Sequence, residues 1–459
     1  MRTNLDNIQG KEILIVGLGK SGTATCQTIL DIGANVSVQD ARGEREFDPS
    51  FLNYLRGRGV TCYFDCLPPD MGKYDMIILS PGASPELDFV QEGKAKGAEI
   101  IGELELAFRF SRGNFIAITG TNGKTTTTTL VGDIFKASGR KTYVVGNIGT
   151  AAISEASKAE ETDWLITEAS SFQLETIKYF KPIISAILNL TPDHLNRHHT
   201  MKAYGEAKAR IFMNQREDGY LVINYDDKTC FNLAKSCKAK IIPFSRKEEL
   251  PMGAFIKNKE IVILPEGRKR EIKICSIDDL KIIGDHNIEN ALAASAICYY
   301  AGIDIETIGN TIKEFPGVEH RIEYCGQVDG VKYYNDSKGT NTDAAIIALK
   351  AIKENIILIA GGDGKGQEFD GFAKELKGRV KHLILLGQDG PKIAKAAKKA
   401  GFTNIVKAKN IPECVTKAAE LAEEGDTVLL SPACASWDMY DNYEQRGDHF
   451  KECVELLGK

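Results

Sequence analysis

No stretch of this 459-residue chain is apolar for long enough to span a membrane, and no charged-then-apolar leader opens it, since Met1-Arg2-Thr3-Asn4 begins a run that stays polar to Gly10. A cytoplasmic protein with no membrane span is expected. Zinc-site spacing is missing too. Eleven cysteines are scattered without paired CxxC motifs, and Cys62 and Cys66, the nearest two, have no second pair to complete a metal site. They read as reduced thiols, mostly in cores. Basic charge is not in excess: 58 Lys and Arg against 63 Asp and Glu leave a net charge of −5, so no nucleic-acid partner is expected. Arg268-Lys269-Arg270 and Lys398-Lys399 read as solvated faces. Histidine is scarce, yet three of the seven fall close together at His194, His198 and His199.

What is present is an ordinary globular composition, 43% hydrophobic and 26% charged, over a length that calls for about three domains. The most informative stretch is Ile118-Thr119-Gly120-Thr121-Asn122-Gly123-Lys124-Thr125-Thr126. It follows an apolar run from Phe115 and precedes a helical pattern, so backbone N–H groups and a helix N-terminus can face the phosphates of ATP. Lys124 can neutralise the terminal phosphates, and the Thr125 hydroxyl can ligate Mg²⁺. The glycine that usually opens such a loop falls at Ile118, so this is a shortened variant. A second glycine-rich turn, Gly17-Leu18-Gly19-Lys20-Ser21-Gly22, lies between an apolar run at Glu12 to Val16 and a helix, and Asn35 to Asp40 then reads as a strand ending in an acid. The pattern is Rossmann-like, and its geometry suits any diphosphate.

Further strands are expected at Met76 to Leu79, before the turn Ser80-Pro81-Gly82, and at Glu99 to Ile101. The middle region alternates strands at Thr142 to Val145, Trp164 to Glu168, Ile184 to Leu188 and Tyr220 to Ile223 with helices near Lys124 to Ser138 and Met201 to Met213. Short apolar alternations between Ala254 and Ile274 suggest a small antiparallel flap, and His286 to Tyr300 a long helix. The last region repeats the βαβ pattern, with strands at Val331 to Asn335, Asn355 to Ala360, His382 to Leu386 and Thr427 to Leu430. The expected fold is α/β in three domains: a Rossmann-like domain at 1–102, a central P-loop ATPase-like domain with the flap at 103–316, and a Rossmann-like domain at 317–459.

Several side chains can carry chemistry. Glu168 closes a strand in the region that holds Lys124, where an acid can make a second Mg²⁺ contact or stand as a solvated strand-end carboxylate. His194 emerges on the same sheet edge in Asn189-Leu190-Thr191-Pro192-Asp193-His194, as a metal or substrate contact or as a surface histidine. Lys208 lies on the next helix among alanines; a helical lysine is ordinarily a solvated charge. Lys338 in Asn335-Asp336-Ser337-Lys338-Gly339-Thr340-Asn341 and Lys365 in Gly361-Gly362-Asp363-Gly364-Lys365-Gly366 follow successive strands, and two such cations can neutralise an anionic co-substrate. Ser431-Pro432-Ala433-Cys434-Ala435-Ser436 supplies hydroxyl and N–H donors on that edge. Cys434 lacks an activating base and is a poor nucleophile candidate.

Taken in order, Thr119–Thr126, Glu168-Ala-Ser-Ser-Phe-Gln-Leu174, Asp193-His194, Tyr204 with Lys208, Gly284-Asp-His-Asn-Ile-Glu-Asn290, His320-Arg321, Asn335–Asn341 and Ser431–Ser436 resemble the Mur ligases of peptidoglycan synthesis, and within them the D-glutamate-adding branch. The resemblance covers almost the whole chain. It implies a monomeric ATP- and Mg²⁺-dependent ligase acting on UDP-N-acetylmuramoyl-L-alanine and D-glutamate through an acyl phosphate. By analogy Gly120, Thr121, Asn122, Gly123, Lys124, Thr125 and Thr126 hold ATP, together with Asn287, Asn290, Arg321 and Asp336. Thr125 and Glu168 would hold one Mg²⁺; His194 and Lys208, the latter as a carbamate, would serve a second. Gly17, Gly19, Lys20, Ser21 and Gly22 would meet the UDP diphosphate, Asp40 and Arg42 the uridine, and Gly82, Asn147 and His194 the sugar and peptide. Lys338, Thr340, Lys365 and Ser436 match the D-glutamate pocket. Tyr443 stands where the family often has Phe, keeping an aromatic wall and adding a hydroxyl. A dehydrogenase with an accessory ATPase unit would account for Gly17–Gly22 and Asp40 but leave the third region's lysines without a task. A relative adding another amino acid lacks support from any Asp-Asn-Pro-Arg motif, and a silent nucleotide-binding module would not need Lys124, Glu168, His194 and Lys208 together.

Overall fold

The computed structural model describes residues 8–352 and 355–458. Short β-branched runs separated by helices that bury one face produce three sheets. The first is fully parallel: β1 Glu12–Val16, β2 Asn35–Asp40, β3 Thr61–Phe64, β4 Met76–Leu79 and β5 Glu99–Gly102, in the order β3-β2-β1-β4-β5. Its strand order reverses at β1 and β4, which opens a crevice beyond their carboxyl ends.

The second sheet holds β6 Asn114–Thr119, β7 Thr142–Gly146, β8 Trp164–Glu168, β9 Ile184–Ile187, β10 Tyr220–Asn224, β11 Lys240–Ser245, β12 Gly253–Lys257, β13 Glu260–Leu264 and β14 Ile272–Ser276, in the order β14-β13-β12-β11-β10-β9-β6-β8-β7. It is parallel from β7 to β12, and the flap foreseen between Ala254 and Ile274 is its antiparallel end, β12–β14. Here the switch point lies at β6, between β9 and β8, so the loops after these three strands converge.

Both sheets belong to one compact unit, Met1–Asp279 with Glu289–Lys313. A single apolar core that includes Ile15, Leu104, Phe110, Phe115 and Ile187 runs from the first sheet into the second. The helix Glu103–Phe110 passes through it with seven of its eight residues buried. Buried Glu105 fastens that helix. Its carboxylate accepts N–H bonds from Lys178 at 2.8 Å and Phe180 at 2.9 Å, and the Arg109 guanidinium at 2.8 Å.

The second compact unit, Leu280–Ile288 with Glu314–Lys459, carries the third sheet. Its strands are β15 Glu323–Val328, β16 Val331–Asn335, β17 Ile356–Gly361, β18 Val380–Leu386, β19 Ile405–Lys407 and β20 Thr427–Leu430, in the order β15-β16-β20-β17-β18-β19. Alternate residues of β17 enter two cores: Leu358 and Ala360 face one, Ile357 and Ile359 the other. The third region was expected to be purely βαβ, but β15 runs antiparallel to β16 as a hairpin. Among the described residues no helix is long and apolar enough to cross a membrane.

Candidate active site

Helix Lys124–Ala137 starts directly behind the loop that follows β6. Gly123 takes φ +80 at the helix N-cap, and a Cβ there would run into the Asn290 side chain, so only glycine lets Asn290 close on the loop. Asn290 Oδ1 also accepts a bond from Thr127 Oγ1 at 3.2 Å. The exit of β9 braces the loop. Asn122 N–H donates to Asn189 Oδ1 at 2.8 Å, and Thr191 N–H donates to Thr121 Oγ1 at 3.0 Å. Lys124 Nζ folds back on the loop, donating to the carbonyls of Gly120 at 3.0 Å and Thr121 at 2.7 Å.

The same Gly120 carbonyl accepts a bond from Lys208 Nζ at 2.8 Å. Lys208 is 1% exposed on helix Met201–Ala209, with its Nζ 4.5 Å from the centroid of the Tyr204 ring. Burial drives its pKa well below the ordinary lysine value, and the Lys124 charge adds to the effect. Both favour a neutral amine with a free electron pair. His194 sits at φ +53 as the N-cap of the short helix Leu195–His198, packed against Phe172 with ring centroids 4.8 Å apart. Burial lowers its pKa as well, reinforced by the Lys124 charge and opposed by Asp193, which favours a neutral imidazole.

Glu168 ends β8 opposite Ile118 of β6. It is 1% exposed; Oε1 accepts a bond from Asn147 Nδ2 at 2.8 Å, while Oε2 has no hydrogen-bond partner among the described residues. A buried carboxylate oxygen left open beside a phosphate loop is a poor structural feature and a good cation ligand. Among the described residues no group of three or more His, Cys, Asp and Glu forms a metal cage of its own. The open Glu168 oxygen fits Mg²⁺, which takes one or two carboxylates and fills its shell from phosphate and water.

In the first sheet, the crevice after β1 and β4 is a cavity of about 540 Å³ lined by Gly17, Gly19, Lys20, Ser21, Asp40 and Gly82, among others. Its turn is built by close approach: a Cβ on Gly22 would fall on the Gly17 carbonyl oxygen, and Ser80 Oγ donates to that same carbonyl at 2.6 Å. Burial pushes the Asp40 carboxyl upward, but bonds from the Arg42 guanidinium at 2.9 Å and from Leu18 N–H at 2.7 Å outweigh it and hold the acid ionised. Lys20 Nζ donates to the Gly149 carbonyl.

In the second unit, the loops after β16, β17 and β20 share the carboxyl edge of the third sheet. Asp336 is buried and accepts a bond from Ser431 Oγ at 2.6 Å; burial raises its pKa to about 7. Arg321 is close enough for its charge to lower both Asp336 and His286, and Asn287 Nδ2 donates to the Ile283 carbonyl at 2.8 Å. Lys338 Nζ lies 5.4 Å from the centroid of the Tyr443 ring, and Lys365 Nζ 4.2 Å from that of Trp437. Thr340 N–H donates to the Lys338 carbonyl at 2.9 Å, and Ser436 is buried. Burial pushes the Cys434 thiol up to about 12, so it stays protonated.

Three family models match in sequence: Mur ligase MurD-like N-terminal domain over residues 11–102, Mur ligase middle domain over 118–298, and Mur ligase glutamate ligase domain over 320–434. The chain belongs to the Mur ligase family. Among curated Mur ligases it is 49% identical to the UDP-N-acetylmuramoylalanine–D-glutamate ligase of Thermoanaerobacter sp. (strain X514), over 98% of this chain and 99% of the relative. The enzyme of that name from Clostridioides difficile (strain 630) is 46% identical over 98% of this chain and all of its own. The fold is also that of solved Mur ligases, including UDP-N-acetylmuramate–alanine ligase MurC from Thermotoga maritima, with a TM-score of 0.60 at 20% identity over 97% of this chain and 99% of that one.

Within this Mur ligase, Gly120 to Thr126, Asn147, Glu168, His194, Lys208 and Asn290 are drawn to one edge of the second sheet. Gly17 to Gly22, Asp40, Arg42 and Gly82 stand at the first sheet's crevice. Asn287, Arg321, Asp336, Lys338, Thr340, Lys365, Ser436 and Tyr443 lie in the second unit. Three contributors carry no assigned role from sequence. Ser80 stands in the sequence only as the start of a sharp turn, whereas its hydroxyl locks the Gly17 turn. His198 is buried, with Nε2 2.9 Å from Ser171 Oγ. Trp437 carries the Lys365 ammonium, and its place directly after the Ser431–Ser436 turn was the available signal.

Proposed function

We propose that this Mur ligase adds D-glutamate to UDP-N-acetylmuramoyl-L-alanine at the expense of ATP, in the cytoplasm and as a monomer, with domains at 1–102, 103–316 and 317–459. The reading rests on the near-full-length identity to curated D-glutamate ligases. The 1–102 crevice takes the UDP moiety, its glycine turn presenting N–H groups to the diphosphate and Asp40 with Arg42 facing the uridine. Asn147, Gly82 and His194 steer the sugar and the alanine carboxylate toward the phosphate loop.

Lys124, released from its own loop carbonyls, neutralises the γ-phosphate while that carboxylate attacks it. Asn287, Asn290, Arg321 and Asp336 hold the rest of the nucleotide. Thr125 and Glu168 offer oxygens for one Mg²⁺, and His194 with Lys208 for a second. When bound, the metal withdraws charge from the transferring phosphoryl group. A neutral Lys208 amine can add CO₂, forming an N–C bond and losing a proton to solvent, which converts a cation into an anionic oxygen ligand. In the second unit Lys338 and Lys365 meet the carboxylates of D-glutamate, whose amine attacks the acyl phosphate and expels phosphate.

Phosphate release from ATP with UDP-N-acetylmuramoyl-L-alanine, measured with D-glutamate, L-glutamate and L-alanine in turn, tests the reading. Release is expected with D-glutamate far above the other two. Equal release with all three rules it out.

A further inference from the structure

Lys365 has an aromatic partner in place of an acidic one. Lys381, Lys392, Lys399, Lys417 and Lys451 each hold a carboxylate, but among the described residues no carboxylate stands within ion-pair distance of Lys365. Its partner is instead the face of Trp437, 4.2 Å from Nζ to the ring centroid. That indole is 64% exposed, a costly position for the largest apolar side chain unless something needs it there. The two residues are brought together by backbone. Asp363 N–H donates to the Ala435 carbonyl at 3.0 Å and Ala435 N–H to the Asp363 carbonyl at 2.8 Å, so each residue of the stack lies two positions beyond one rung joining the loops. Lys365 N–H donates to Asp363 Oδ1 at 2.9 Å, and the Met439 and Tyr440 N–H groups to the Ser436 carbonyl at 2.9 and 2.8 Å, which fixes the turn under the indole.

We propose that Trp437 is a positioning and specificity residue for the amino-acid substrate. Its indole holds the Lys365 ammonium in one place, without an anion that would have to be displaced, so that the cation is ready for a carboxylate of the incoming dicarboxylic amino acid. A flexible, strongly hydrated lysine loses rotamer freedom when it binds a carboxylate, and a π face that restrains it beforehand reduces that loss without neutralising the charge. The proposal rests on the D-glutamate reading above.

Steady-state kinetics of the full chain provide the test. Trp437→Leu is expected to raise the KM for D-glutamate roughly two- to fivefold, the range that an exposed cation–π contact allows, with kcat and the KM values for ATP and the UDP substrate little changed. Trp437→Phe, which keeps a π face, recovers most of the loss. Trp437→Leu made on top of Lys365→Ala adds no further loss, because the indole acts through that ammonium. The chain has only two tryptophans, so in a Trp164→Phe background the emission is that of Trp437 alone and shifts when a D-glutamate carboxylate binds the ammonium that the indole holds. An unchanged KM in a folded, active Trp437→Leu enzyme, or additive losses in the double variant, overturns the proposal alone. Absence of D-glutamate turnover in the unsubstituted enzyme overturns the substrate reading and this proposal with it.

Discussion

Lys208 shows how a residue gains its chemistry from its surroundings. Its local sequence, Glu206-Ala207-Lys208-Ala209, describes a solvent-facing helical lysine, and nothing in it signals burial. Burial comes from the fold: helix Met201–Ala209 lays this side chain beneath the Gly120 carbonyl, where burial and the Lys124 charge outweigh the pull of Asp193 and Glu168 and disfavour the ammonium. The proposed carbamate would resolve that conflict by replacing the cation with an anionic oxygen ligand. Lys208→Ala is therefore expected to cost roughly 100-fold or more in turnover, the scale on which metal-site partners act. Bicarbonate should restore part of it, and ¹³C-bicarbonate should give a carbamate resonance in the unsubstituted protein that the variant lacks. Full activity in Lys208→Ala contradicts the role. Glu168 and Lys124 were legible because strand, glycine turn and helix order fixes their position locally. Lys208, Trp437 and Ser80 were not, since their partners lie 88, 72 and 63 residues away.

Elements were most legible where both faces of a strand are buried. β1, β2, β4, β8, β16 and β20 coincide with the apolar runs that announce them, whereas β3, β11, β15 and β19 were passed over. β3, β15 and β19 are sheet edges with half-exposed residues, so no continuous apolar run marks them. β15 did carry one signal, the Asp329-Gly330 pair with φ +49 and +78, which is the two-residue hairpin turn between Val328 and Val331. The helix Glu103–Phe110 also hides a titratable group. Glu103 is buried at its first position; Oε1 accepts the Ile153 N–H at 2.7 Å, Oε2 has no hydrogen-bond partner among the described residues, and burial raises its pKa to about 7. The folded protein therefore binds this proton more tightly than the unfolded chain. Stability from this group is complete below the ordinary carboxylate range and is lost as pH rises toward 7, by about 3 kcal/mol at the outer bound. Glu103→Gln keeps the shape and removes the charge. Urea midpoints at pH 5 and pH 8 should differ less in the variant than in the parent, with the variant the more stable at pH 8. An unchanged pH dependence removes Glu103 as its source.

At the scale of the whole molecule, the proposed function assigns different substrates to two compact units with separate cores. The residues that line the cavity beyond β1 and β4 belong to the first unit, and so do Gly120 to Thr126. A ligand stabilises the structure it binds by RT ln(1 + [L]/Kd), about 2.7 kcal/mol at a hundredfold excess over Kd, and that stabilisation appears first in the cooperative unit that holds it. Hydrogen exchange can therefore assign the sites without any turnover. UDP-N-acetylmuramoyl-L-alanine alone should slow the amides of Gly17 to Ser21 and Ser80 to Leu87, and a non-hydrolysable ATP analogue those of Gly120 to Thr126. Protection by the UDP substrate confined to the 314–458 segment, with none at Gly17 to Ser21, would move the substrate out of the Rossmann crevice and undo the assignment of Asp40 and Arg42. Protection at Gly17 to Ser21 that Arg42→Ala weakens and Lys124→Ala leaves intact separates the cavity that holds the acceptor from the loop that activates it.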